Sequence, residues 1–216
     1  SHDLQEPLRM VANYTQLLAR RYKDRLDSDA NEFIDFAVDG AKRMQDLIHD
    51  LLEYARVGTR GKEFKAAPLD RIVENAIANL SGAIEEAQAE VTVGSMPTLP
   101  CDGSQLTQVF QNLIGNAIKF RNPGCRPVVR VLATRGERDW TLSVSDNGIG
   151  IDPKHFERIF QMFQRLHGRG EYSGTGIGLA LCKKIVERHG GKITVASQPG
   201  QGTTFSFTIP DPQGAA

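Results

Sequence analysis

The residues best able to do chemistry lie in a few short strings. The chain opens on SHDLQEPLR, where His2 is followed at once by Asp3. A neutral imidazole has one basic nitrogen, and an acid that accepts the other nitrogen's proton makes it a better nucleophile and stabilises the cation formed on attack. Asp3 can do this directly or through water. Most such pairs at a protein surface do no chemistry, so the meaning of this one depends on what else the chain carries. In NLIGNAIKF, Asn112 and Asn116 stand one helical turn apart on one face, with Lys119 about a turn further along. An amide oxygen suits Mg²⁺, which takes hard oxygens and keeps other positions for water and phosphate. Lysine adds a point charge for the same phosphates. Read alone, that string is also an ordinary helix with polar residues on its surface.

Three glycine-bearing strings complete the set. DNGIGID, residues 146–152, ends a strand on a carboxylate and places Gly148 and Gly150 where backbone can approach a flat ligand, while Asp146 accepts from an exocyclic amine. GTGIGLAL, residues 174–181, puts Gly174, Gly176 and Gly178 where a loop becomes a helix, so free N–H groups and the positive helix end can hold phosphate. It is not a Rossmann fingerprint, because no strand feeds it and the spacing differs. GQGTTFSF offers Thr203 as a further polar contact or serves only as a hairpin turn. Each string is weak by itself; together they are specific.

Two regions of different period must position these residues. Leu4, Leu8, Val11, Thr15, Leu18 and Tyr22 step by threes and fours, as does the series from Ala30 through Phe33, Ala37, Gly40, Met44, Leu47 and Leu51 to Ala55, with Asp27 or Ser28 able to cap the second helix. A helical hairpin results. Two helices cannot cover both apolar stripes, so pairing with a second copy as a four-helix bundle is expected, with cover by the rest of the chain as the alternative. Residues 57–62 break the heptads and read as a linker. Beyond it, one helix is expected from Pro68 to about Gln88, short strands near Val91 and Leu99, and a helix capped by Asp102 with Leu106, Val109, Phe110, Leu113, Ile114, Ala117 and Ile118 on its inner face. PVVRVLAT and WTLSVSD read as adjacent strands, and GKITVASQPGQGTTFSFTIP as a closing hairpin. The fold class is therefore α+β: a hairpin over residues 1–60, then helices on one face of a mostly antiparallel sheet over residues 61–216.

Composition narrows the function classes. The 216 residues carry 26 basic and 26 acidic side chains, and this balance gives no electrostatic reason to expect nucleic acid or an anionic membrane as partner. No apolar run is long enough to span a bilayer. Cys101, Cys125 and Cys182 have neither disulfide parity nor metal-ligand spacing, which points to a reducing compartment and a cytoplasmic address. Ser1 enters directly into patterned sequence, as expected of a piece of a longer chain.

The order SHDLQEPLR, NLIGNAIKF, DNGIGI, FERIFQMFQRL, GTGIGLAL and GQGTTF resembles the sensor histidine kinases of two-component signalling over essentially the whole chain. FQRLHGRGEYSGTGIGLALCKKIVERHGG is most similar to the kinase modules of phytochrome-like sensors. The resemblance implies a dimerisation and histidine-phosphotransfer hairpin, a homodimer through residues 1–58, and a two-layer α/β sandwich of the Bergerat type that binds ATP and Mg²⁺. It implies an ATP-dependent protein-histidine kinase that phosphorylates His2 and passes the phosphoryl group to an aspartate of a response-regulator receiver domain, under a sensory domain upstream of this chain. By the same resemblance His2 matches the phospho-acceptor, Asp3 the acid that activates it, Asn116 the Mg²⁺ ligand, Lys119 a phosphate contact and Asp146 the adenine reader. Gly148 and Gly150 match the turn at the nucleotide, while Gly174, Gly176 and Gly178 match the hinge of a lid. Phe156, Ile159, Phe160 and Phe163 follow helical spacing and match that lid's apolar anchor. Arg165, His167 and Arg169 fall in the lid, with Arg165 the favoured γ-phosphate contact. Glu6 stands where many members carry Thr or Asn, residues associated with dephosphorylating the partner. Asn112 occupies the position of the glutamate that activates water in the related hydrolytic ATPases, and an amide cannot act as a general base. The competing classes are a GHKL-type ATPase and a nucleotide-dependent dimerisation scaffold without histidine phosphorylation.

Overall fold

The computed structural model describes residues 2–22, 25–59, 63–166, 172 and 174–211, with side chains in the first helix described from Glu6 onward and that of Thr59 left out. The first helix, α1 (His2–Tyr22), and the second, α2 (Ser28–Thr59), form the predicted hairpin. Asp27 starts α2, its Oδ1 accepting from the Ala30 amide at 2.8 Å. The contact between the helices centres on small residues, with Ala12 2% and Ala41 1% exposed. Large heptad residues point elsewhere: Val11 and Leu18 on α1, and Phe33, Met44 and Leu51 on α2, are exposed. The stripe read as a single seam is therefore divided between an inner alanine contact and an outer apolar face.

The second region begins with strand β1 (Lys65–Pro68), followed by helices α3 (Leu69–Asn79) and α4 (Ser81–Ala87) and strands β2 (Glu90–Val93) and β3 (Thr98–Cys101). The single helix expected from Pro68 to Gln88 is two helices. Leu80, at φ −105° and ψ 7°, breaks the ladder, and Gln88 ends α4 in the left-handed region. Next come helix α5 (Gly103–Lys119), strands β4 (Val128–Arg135) and β5 (Asp139–Asp146), helix α6 (Gly178–Arg188) and strands β6 (Ile193–Ser197) and β7 (Thr203–Pro210). The main sheet runs β2-β4-β5-β7-β6, parallel only between β2 and β4, while β1 and β3 form a separate antiparallel pair. Alternation in β7 sends Phe205, Phe207 and Ile209 inward, where Phe207 meets Phe110 of α5 edge-on at 5.5 Å. All seven inner-face residues expected on α5 are buried.

The reading of residues 57–62 as a linker needs correction at its start. Helix α2 continues through Thr59, and Val57, 3% exposed, joins the core of the second region. The carbonyl of Val57 accepts from Gln105 Nε2 at 3.4 Å, and Lys184 Nζ reaches the Tyr54 carbonyl at 2.8 Å. Tertiary partners thus hold a helix end that Gly58 would otherwise fray. Residues 60–62 lie outside the described residues.

Candidate functional site

A cavity of about 380 Å³ opens where α5, the end of β5, the start of α6 and β7 converge. Its lining includes Asn112, Asn116, Lys119, Asp146, Gly150, Arg165, Gly174, Gly176, Gly178 and Thr203, so residues chosen from scattered strings share one wall. Gly148 stands just behind it. Its amide donates to Asp146 Oδ1 at 2.8 Å, and the Thr203 amide donates to the same oxygen at 3.1 Å. Burial pushes the Asp146 carboxyl above its ordinary value, and these two bonds pull it partly back. With Oδ1 doubly engaged, Oδ2 is the oxygen that can accept from a ligand amine.

The glycines of the turn answer to the protein before they answer to any ligand. Gly150 has φ +72°, and a Cβ there would lie 2.0 Å from the carbonyl oxygen of Gln198. A Cβ on Gly148 would meet the Phe120 carbonyl oxygen at 2.3 Å. The turn can carry Asp146 to the cavity edge only if both positions lack side chains.

On α5, Lys119 Nζ lies over the Phe120 ring at 4.3 Å, and Tyr172 packs on that ring with centroids 4.8 Å apart. Burial lowers the lysine's pKa, and the nearby Arg165 charge lowers it further. Arg165 donates to the Tyr172 carbonyl. Asn112 packs against the start of α6: its Oδ1 would lie 3.0 Å from a Cβ on Gly178. Gly178 opens α6, an eleven-residue helix whose first amides can hold an anion. Among the described residues no group of three or more His, Cys, Asp or Glu side chains could cage a metal. The amide oxygen of Asn116 is a hard donor that fits an ion completed by water and phosphate rather than by protein.

The helical spacing of Phe156, Ile159, Phe160 and Phe163 is not realised as one helix. The segment forms short 3-10 turns at Pro153–His155 and Arg158–Phe160, and Gln161 turns extended before Phe163 at φ 63°. Ile159 is buried and Phe160 meets Phe205 edge-on at 6.3 Å, whereas Phe163 is exposed. The break occurs because the Phe163 amide bonds the Gly176 carbonyl at 2.9 Å, which joins this segment to the glycine loop. His2 and Asp3 begin α1, but their side chains lie outside the described residues, as do His167 and Arg169. Sequence reasoning missed Phe120 and Tyr172, and it missed the wall supplied by α2 through Asp46, His49 and Asp50. Nothing in a helical period marks those three, since solvated polar positions look the same.

A carboxylate held by a glycine turn, a lysine beside an asparagine, and a glycine loop feeding a helix define a GHKL-type nucleotide-binding sandwich, here preceded by a helical hairpin. The chain belongs to the histidine kinase-, DNA gyrase B- and HSP90-like ATPase family, whose model matches residues 101–213; a His Kinase A (phospho-acceptor) domain model matches residues 1–60. It is 55% identical over 97% of its length to phytochrome-like protein Cph1 of a Synechocystis species, covering 28% of that protein. It is 54% identical over 97% of its length to cyanobacterial phytochrome A of a Nostoc species, covering 27% of that protein. The chain thus spans little more than a quarter of these curated relatives. Among solved structures it is similar to full-length ShkA in complex with AMPPNP, with TM-score 0.72 and 26% identity over 97% of this chain and 44% of that one. Among the described residues no helix is long and apolar enough to cross a membrane.

Proposed function

We propose that this chain is the catalytic core of a sensor histidine kinase, which binds MgATP in the cavity and phosphorylates His2. The observation that carries the reading is the convergence of Asn116, Lys119, Asp146, Thr203 and the glycine loop on one cavity. Asp146 reads the adenine amine through Oδ2. The amides at the start of α6, with Lys119 and Arg165, hold the phosphates and balance the charge that develops on the terminal phosphoryl group. Asn116 would hold Mg²⁺, which neutralises phosphate oxygens when bound. An imidazole nitrogen of His2 bonds to the terminal phosphorus as the bond to the bridging oxygen breaks, and ADP leaves. Asp3 orients the ring and takes its proton, directly or through water. Asn112 lines the cavity with an amide, which has no basic group and leaves water unactivated, so hydrolysis is slow and the phosphoryl group is kept for His2.

The working form is a homodimer through residues 1–58, supported by the exposed outer stripe of the hairpin. Its functional units are residues 1–60 for phosphotransfer and residues 61–216 for catalysis. The phosphoryl group then passes to an aspartate of a response-regulator receiver domain, under a sensory domain N-terminal to this segment. A cytoplasmic setting fits the unpaired spacing of the cysteines. With ATP labelled at the γ-phosphate, wild-type protein should acquire an acid-labile, base-stable label. His2→Gln should acquire none while retaining nucleotide affinity; full labelling of that variant would move the acceptor elsewhere.

A further inference from the structure

Helix α2 does more than carry an apolar stripe. Asp46, His49 and Asp50 line the same cavity as Asp146. Across a half-buried contact, Thr175 Oγ1 donates to Asp50 Oδ2 at 2.5 Å, joining positions 125 residues apart. Thr175 lies within the glycine loop, and its hydroxyl oxygen also accepts from the Ile177 amide at 3.3 Å, beside the start of α6. Asp50 is therefore an anion fixed at the end of the cavity where phosphate would sit, with Asp46 one turn away on the same helix face. Its place is held by more than one bond. The Lys184 ammonium reaches the Tyr54 carbonyl at 2.8 Å and lies over the Tyr54 ring at 4.0 Å, and Val57 is buried in the core.

We propose, resting on the nucleotide reading above, that Asp50 is a specificity-determining residue of the cavity. Held by Thr175, its carboxylate opposes the terminal phosphate, so the docked hairpin favours a nucleoside diphosphate over a triphosphate. A triphosphate reaches full affinity only when the Asp50–Thr175 bond opens. Coupling of this kind is reciprocal: a triphosphate loosens α2 from the glycine loop by the same factor that docking weakens the triphosphate. The bond thus links occupancy of the pocket to the position of the helix pair that carries His2.

The test is a titration of the whole chain, with Mg²⁺ present, by ADP and by a non-hydrolysable ATP analogue. Asp50→Asn removes the charge and keeps an acceptor for the Thr175 hydroxyl. It should bind the analogue about three- to tenfold more tightly, as expected for loss of one like charge near a solvated site, with ADP shifted less than about twofold. The gain should shrink as salt rises, because screening shortens to about 3 Å near 1 M. Asp50→Ala should shift the analogue-to-ADP ratio in the same direction. An unchanged ratio in both variants overturns the proposal, and so does weaker analogue binding, which would make Asp50 a supporter of the bound phosphates. If wild-type protein binds neither nucleotide, the nucleotide reading itself fails, a result distinct from either of these.

Discussion

At the scale of single residues, the proposed reading of adenine turns on the charge of Asp146. Burial raises the pKa of Asp146, while the Gly148 and Thr203 amides oppose that rise by favouring the anion. The anion is the stronger acceptor for an adenine amine, since a protonated carboxyl turns one oxygen into a donor. Affinity for adenine nucleotides should therefore fall as pH drops through the raised pKa, beginning above the ordinary aspartate value of about 3.9. The sign for stability is opposite: a carboxyl raised in the fold contributes stability at low pH and loses it as pH rises. A loss of binding that precedes any loss of fold is thus the signature to look for, by titration alongside circular dichroism. Asp146→Asn keeps the shape but presents an amide, and should cost about 1.5–3 kcal/mol of nucleotide binding, the worth of a hydrogen bond to a charged group. Equal affinity in wild type and variant would remove Asp146 as the base reader.

The thiols give a second residue-scale expectation. Burial, aided by the neighbouring Asp102 charge, pushes Cys101 up to about 11, and burial pushes Cys182 up to about 12. Cys125 is exposed. Because the thiolate is the reactive form, a thiol reagent at pH 7.5 should modify Cys125 quickly and leave the other two untouched until the chain is unfolded. Fast modification of Cys182 in the folded protein would mean that the contact between α5 and α6 opens, and Asn112 with it.

At the scale of elements, the junction behind the cavity turns on His189. Its Nε2 accepts from the Asp102 amide at 3.0 Å and its Nδ1 meets the Ile185 carbonyl at 2.8 Å, which sets the neutral ring with the proton on Nδ1. Phe64 stacks on it at 4.4 Å, with Arg188 over the Phe64 ring at 4.8 Å. Burial lowers the histidine's pKa, and although the Ile185 carbonyl and Asp102 pull it back up, the net direction is down. A depressed histidine contributes stability that is complete above its unfolded pKa, about 6.5, and is lost as pH falls toward the folded value. His189→Gln should be less stable than wild type at pH 7.5 by about 1–3 kcal/mol, the range for a disrupted buried hydrogen bond. The gap should narrow toward pH 5.5 in denaturant titrations. A gap that does not change with pH would place the effect in packing alone.

At the scale of the whole molecule, legibility in the sequence followed the kind of constraint. Asp146, Gly150 and the residues 174–178 could be read because a close backbone approach admits few residue types, so the strings are narrow. The inner face of α5 could be read because burial imposes a period. Helix α2 was read only in part. Its apolar heptads are visible, but Asp50 acquires meaning only against Thr175 of the glycine loop, 125 residues away, and Val57 only against the core of the second region. Aromatic spacing misled at Phe163 for a related reason, since a bond to Gly176 overrides the local helical period.

Helix α2 therefore serves two surfaces at once, and these should separate by mutation. Its outer stripe, with Phe33 68% and Met44 45% exposed, lies beside the alanine contact and stays partly open among the described residues, a cost that a second copy would remove. Its last turns are held by Gln105 and Lys184 and do not depend on that stripe. Phe33→Glu combined with Met44→Glu should convert a two-chain species to single chains in sedimentation. Nucleotide affinity should stay within about twofold, because sites without shared partners respond independently. A variant that remains two-chain would place the contact on another face. One that loses nucleotide binding as well would show that the hairpin's two surfaces communicate through α2, and that the partner copy helps to set where Asp50 meets the glycine loop.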